Sequence, residues 1–262
     1  MQTFHYNYIG NEFFDMHDHQ GHREKIGYLR NDFIMNFFEF IEDEFQVPPR
    51  SSKAIAHALW ARMSDMQLRY HTPVHVLSMF QFHKKILDEG AGDVYDLTPA
   101  EQLAIWFHDS VYVPGAGEGE NEYNSVTFMN AMMQPFIKDK DQLAHASELI
   151  GETAYHMTNQ ELMKEEDTDN AWAVIMDLDL CSFCFEYEDF SRISGLVGKE
   201  YEGIYPPEEY EAGRKKFFEQ MLAKGFIYRT PFFRQRFEEK AKENLTRAIS
   251  PDSAKSEHHH QS

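Results

Sequence analysis

A chain of 262 residues with 42% apolar and 15% aromatic side chains can enclose a substantial core without disulfide staples. Its formal charge of −19 sets it against duplex nucleic acid and anionic membrane, so any phosphate it handles must meet concentrated positive charge or a metal ion. No basic stretch leads into an apolar core at the N-terminus and no apolar run approaches bilayer length, which gives the expectation of a soluble, cytoplasmic protein.

Apolar residues recur at three- and four-residue steps and sustained alternation is rare, so the pattern predicts an all-α chain. Met16-His17-Asp18-His19-Gln20-Gly21-His22 contains a His-Asp pair but no buried helix around it, and reads as a polar loop. A helix over 27–44 has Leu29, Phe33, Phe37, Phe38 and Ile41 as its buried stripe and stops at Val47-Pro48-Pro49. Another covers about 52–65. Thr72 is the predicted N-cap of the next, with Pro73 in its first position; it runs towards Asp88 and ends at Gly90 and Gly92. Thr98-Pro99-Ala100-Glu101 is a capping-box signature, opening a helix whose segment Leu103-Ala104-Ile105-Trp106-Phe107 is apolar on every side and therefore central.

The acidic loop 113–120 follows, placed as a lid, and then helical patterns over 122–133 and 141–156, with 158–169 as a solvated linker. A second strongly buried helix begins near Asn170 and carries Trp172, Val174, Ile175, Met176, Leu178, Leu180 and Phe183. Cys181 and Cys184 lie within that apolar run; they give no disulfide framework and read as small buried hydrophobes. Helices over 189–199, 208–224 and 230–249 complete the chain. The expected organisation is an N-terminal helical segment (1–49) packing on a metal-binding core (50–185), a C-terminal helical extension of the same domain (186–250), and a disordered tail (251–262). His258, His259 and His260 in that tail are excluded from any site.

Chemistry concentrates at His108-Asp109, directly after the all-apolar segment. Two ionisable groups at the end of a buried helix are costly to desolvate, and coordination of a divalent cation is the natural compensation. Upstream, His71 and His75 bracket a helix start, one available to metal and the other to substrate. Downstream, Asp177 and Asp179 interrupt an apolar run. Two residues apart on a helix means projections about 200° apart, so only one can face the cluster. The other needs its own buried partner, such as an arginine from the C-terminal region. Imidazole and carboxylate together suit Mn, Fe, Zn, Co or Ni, as one or two ions.

Spaced His, His-Asp and Asp on successive helices resemble the HD superfamily of metal-dependent phosphohydrolases. Within it, Arg69-Tyr70-His71-Thr72-Pro73-Val74-His75, Phe107-His108-Asp109-Ser110-Val111-Tyr112, Asn121-Glu122-Tyr123-Asn124-Ser125, Thr153-Ala154-Tyr155-His156 and Met176-Asp177-Leu178-Asp179-Leu180 are similar to one predicted phosphohydrolase family. Arg192, Glu200-Tyr201, Gly213-Arg214, Tyr228-Arg229-Thr230 and Asn244-Leu245 resemble that family's tail, so the likeness spans roughly 50–248. It implies an HD-domain-type helical bundle with a C-terminal helical extension. It also implies His75, His108 and Asp109 as metal ligands, with the closing aspartate falling on Asp179 and Asp177 as the alternative. Where the family has a small residue between the aspartates, this chain has Leu178. His156 is a candidate ligand to a second ion bridged by Asp109.

By similarity to cyclic-nucleotide phosphodiesterases, which share the Tyr-His-x-x-x-His wording, His71 is the candidate acid for the leaving oxygen. Glu122 is a candidate for orienting the nucleophilic water or a ligand histidine. Arg69, Tyr112, Asn121, Arg192 and Arg214 are candidate substrate-binding residues, with Lys199 and Arg229 as further cations for phosphate. The implied activity is hydrolysis of a phosphoester in a small phosphorylated molecule, nucleotides being the largest class. A di-iron oxygenase and a non-catalytic metal-binding interaction protein are the alternatives, and a homo-oligomer is compatible with any of the three.

Overall fold

The computed structural model describes residues 4–18, 22–91, 95–154 and 171–250. The linker 158–169, residues 19–21, His156 and the tail 251–262 lie outside the described residues. Among those described there are ten α-helices and no strand, and no helix is long and apolar enough to cross a membrane. The chain divides into two compact units, Met1–His156 and Met157–Ser262.

The first unit contains α1 (Arg23–Phe45), α2 (Pro49–Met63), α3 (Pro73–Ile86), α4 (Pro99–Phe107), α5 (Glu120–Met133) and α6 (Lys140–Thr153). The starts of α2, α3 and α4 are set by proline at the first helical turn, where its missing N–H is no loss. At α4 a full capping box adds to this: Thr98 accepts from the Glu101 N–H, and the Glu101 carboxylate accepts from the Thr98 N–H at 2.6 Å. Gly90, with φ of 95°, turns the chain out of the π-helical turn Leu87–Ala91 that follows α3.

Helix α1 packs on α2, and α6 on both α4 and α5. Trp106 is the hub of the core. Its fully buried ring has Phe33, Phe37 and Phe80 at centroid distances of 5.3, 5.1 and 4.7 Å, drawn from α1 and α3. The buried face of α1 differs from the predicted stripe: Phe40 and Phe45 are buried, as are Asp32 and Asn36, and Phe38 is only half-buried. Leu29, Phe33, Phe37, Phe40 and Ile41 keep to one side of a 3.6-residue turn, whereas Phe38 lies about 100° beyond Phe37.

The second unit contains α7 (Ala171–Asp179), α8 (Tyr187–Glu200), α9 (Pro207–Ala223) and α10 (Pro231–Ile249), with α8 and α9 both packing on α10. Helix α7 ends at Asp179, short of the predicted Phe183, and a 3₁₀ turn follows over Cys181–Cys184. The carbonyls released there are taken by side chains: Tyr228 donates to Leu180, and the Asn244 amide donates to Phe183 and Phe185 at 2.8 Å each. Burial pushes the Cys181 thiol well above its ordinary range, in keeping with a packing role.

Candidate metal centre

Three predicted ligands meet inside the first unit. His75 lies in the first turn of α3, and His108 and Asp109 directly follow α4. One donor atom from each lies within 4.8 Å of the others. The His75 and His108 Nε2 atoms are 3.3 Å apart, and Asp109 Oδ2 stands 3.0 Å from the second and 3.7 Å from the first. Both histidines are almost wholly buried and the Asp109 side chain is 14% exposed.

The tautomer of His108 follows from its surroundings. Its Nδ1 is 2.8 Å from the Ile105 carbonyl, which can only accept, so Nδ1 carries the proton and Nε2 presents a lone pair. That lone pair faces a second imidazole nitrogen and a carboxylate oxygen in a site largely removed from water. The separations are those of donors that can share one ion with bonds of about 2.1 Å. Two imidazoles and a carboxylate fit a first-row transition ion better than calcium or magnesium.

Aromatic rings frame the cluster. Tyr70 packs on the His75 ring at 4.6 Å and edge-on to His71 at 4.9 Å, and His71 in turn lies flat on Tyr112, 3.5 Å between centroids and 12° between planes. The segment carrying Tyr112 is clamped by α5. Asn121 accepts from the Val113 N–H and donates to the Val113 carbonyl, while Ser125, one turn on, does the same for Val111. Asn121 thus spends its amide on the backbone of Val113, directly after Tyr112, and Ser125 holds the residue before it. Glu122 sits half-buried in the first turn of α5. Arg69 folds back onto the Met66 carbonyl at 2.9 Å and pairs with Asp15 at 3.6 Å.

In the second unit the two aspartates of α7 have different surroundings. Asp177 is fully buried and accepts three hydrogen bonds, from the backbone N–H groups of Arg229 and Thr230 and from the Thr230 hydroxyl, all at 2.7 to 2.8 Å. Burial pushes its carboxyl up to about 7, against the pull of those donors and the neighbouring Arg229 guanidinium. The next two amides back, Ile227 and Tyr228, donate to Glu238 of α10, so two buried carboxylates hold four consecutive N–H groups. Arg229, only 5% exposed, lays its guanidinium over the Trp172 ring at 4.9 Å. Asp179 is the last residue of α7 and half-buried. Arg192 pairs with Asp189, and Arg214 with Glu211 and Ser194.

Sequence reasoning did not anticipate the Asn121 and Ser125 clamp, and for the second aspartate it expected a buried C-terminal partner such as an arginine, where the structure supplies the backbone N–H groups of Arg229 and Thr230 and the Thr230 hydroxyl. No known protein family matches this chain at the sequence level, and no curated protein is significantly similar to it.

Proposed function

We propose that the chain is a metal-dependent phosphohydrolase of the HD type, acting on a phosphoester of a small phosphorylated molecule, with nucleotides as the largest candidate class. The observation that carries this reading is the convergence of two imidazole nitrogens and a carboxylate oxygen in a buried pocket of charge, with the His108 tautomer fixed for coordination. Asp179 is proposed as the fourth ligand. Its neighbour Asp177 already has both carboxylate oxygens engaged by three donors, which supports this choice.

His75, His108 and Asp109 would hold a divalent transition ion, which would supply an acidified water and polarisation of a phosphoryl oxygen. The remaining work falls to the chain's own groups. His71, half-buried and set by its stack on Tyr112, is placed in this reading to give a proton to the leaving oxygen. The clamp at Val111 and Val113 keeps Tyr112, and with it the imidazole plane, in one orientation. Arg229 balances the charge of the buried Asp177.

The test is manganese-supplemented phosphate release from nucleotides, cyclic nucleotides and sugar phosphates, using the full chain with His258, His259 and His260 replaced by alanine. Chelator-sensitive release that His108→Ala abolishes supports the reading. Silence across the panel, in folded protein shown to carry metal, overturns it.

A further inference from the structure

The segment 4–18 has almost no regular structure, only a 3₁₀ turn at Gly10–Glu12, yet Tyr8, Phe13, Phe14 and Met16 within it are buried. A buried irregular segment needs partners for its backbone groups, and at His5, Tyr6 and Tyr8 side chains supply them. The Gln81 amide accepts from the Tyr8 N–H and donates to the Tyr6 carbonyl. Asp32 of α1 accepts from the His5 N–H at 2.7 Å and the Tyr8 hydroxyl at 2.9 Å, and also meets the His5 ring. The segment is therefore fastened to α1 and to α3, the helix that carries His75.

What the fastened segment presents is Phe13. Its ring, 1% exposed, stacks on Tyr70 with 5.7 Å between centroids and 18° between planes. Tyr70 is the ring that touches both His75 and His71. Two residues further on, Asp15 pairs with Arg69, the neighbour of Tyr70, so the loop leading into α3 is backed at adjacent positions. A metal ligand holds its ion well only when its ring plane is fixed from behind. For His108 the Ile105 carbonyl supplies that restraint, and behind His75 stands a relay of packed rings, Tyr70 and then Phe13.

We infer that Phe13 is a positioning residue for the metal centre: through Tyr70 it sets the plane of His75, with segment 4–18 as the brace that holds it in place. The inference rests on the reading of His75 as a metal ligand. It gives the first residues of the chain a role in metal affinity that they perform without touching the ion.

Cobalt(II) is the probe, because its visible absorption reports ligand geometry as well as occupancy. The full chain with its three tail histidines replaced is titrated as wild type, Phe13→Ala, Phe13→Leu, His108→Ala and Ile55→Ala. The last is a core truncation on α2 that controls for lost stability. Phe13→Ala is expected to weaken cobalt affinity about tenfold or more and to alter the spectrum. Phe13→Leu, which restores an apolar backing, should recover most of the affinity, and Ile55→Ala should bind as wild type does. If Phe13→Ala binds with wild-type affinity and spectrum, or no more weakly than Ile55→Ala, the positioning role is overturned. Equal cobalt binding by wild type and His108→Ala would instead remove the metal reading itself, and the inference with it.

Discussion

Asp177 and Asp179 share a helix and a chemistry but not their surroundings. Because Asp177 faces three donors and no acceptor for a proton, Asp177→Asn would turn an amide N–H towards N–H groups and leave buried polar atoms unmatched. A loss of about 3 kcal/mol is expected in the unfolding of the second unit. Asp179→Asn, in contrast, should cost metal and little stability. Thermal melts paired with metal analysis distinguish the two, and the reverse assignment would exchange their roles.

A second residue-scale expectation concerns pH. His83 donates from Nε2 to the Tyr95 carbonyl, and burial lowers its pKa below the ordinary 6.5. A basic group depressed in the fold takes its proton first in the unfolded chain. Its contribution is therefore complete above 6.5 and is lost as pH falls towards the folded value. His83→Gln can keep the donated bond and cannot titrate, so its melting temperature should fall less than that of wild type between about pH 7.5 and 5.5. Parallel profiles for the two proteins would contradict this.

At the scale of elements, the start signals were legible. Pro73 behind Thr72, and the Thr98 and Glu101 capping box, open α3 and α4 where the sequence places them, which set His75 and the His108-Asp109 pair on correct termini. These signals are local, so a single chain displays them. What stayed hidden was long-range: Gln81 reaching 73 residues back to Tyr8, and Asp177 reaching 52 forward to Arg229. An arginine was expected beside Asp177, yet the closest bonds come from the backbone and hydroxyl of residues 229 and 230, a partnership no residue type announces. The same applies to the clamp beside Tyr112. Asn121→Ala strips the partners from both the N–H and the carbonyl of Val113, exposed groups that water can satisfy in its place. The loop 113–120 should then be cut faster by a protease than in wild type, with the melting temperature little changed. Unaltered cleavage would show that the clamp does not govern the loop.

For the molecule as a whole, a charge of −19 opposes the arrival of any anionic substrate. Salt weakens that opposition. For a phosphoester, kcat/KM should accordingly rise, by about threefold, between roughly 0.01 and 0.15 M ionic strength. A fall over that range would point to a locally positive entrance. The proposed activity turns on whether His75, His108 and Asp109 hold an ion. Metal content per chain decides it most directly, measured by atomic emission on the full chain with His258, His259 and His260 replaced by alanine, against the same protein carrying His108→Ala. The account predicts one or two first-row transition ions per wild-type chain and their loss in a variant that remains folded. Equal metal in both, or none in wild type after dialysis against a transition-metal mixture, would contradict it.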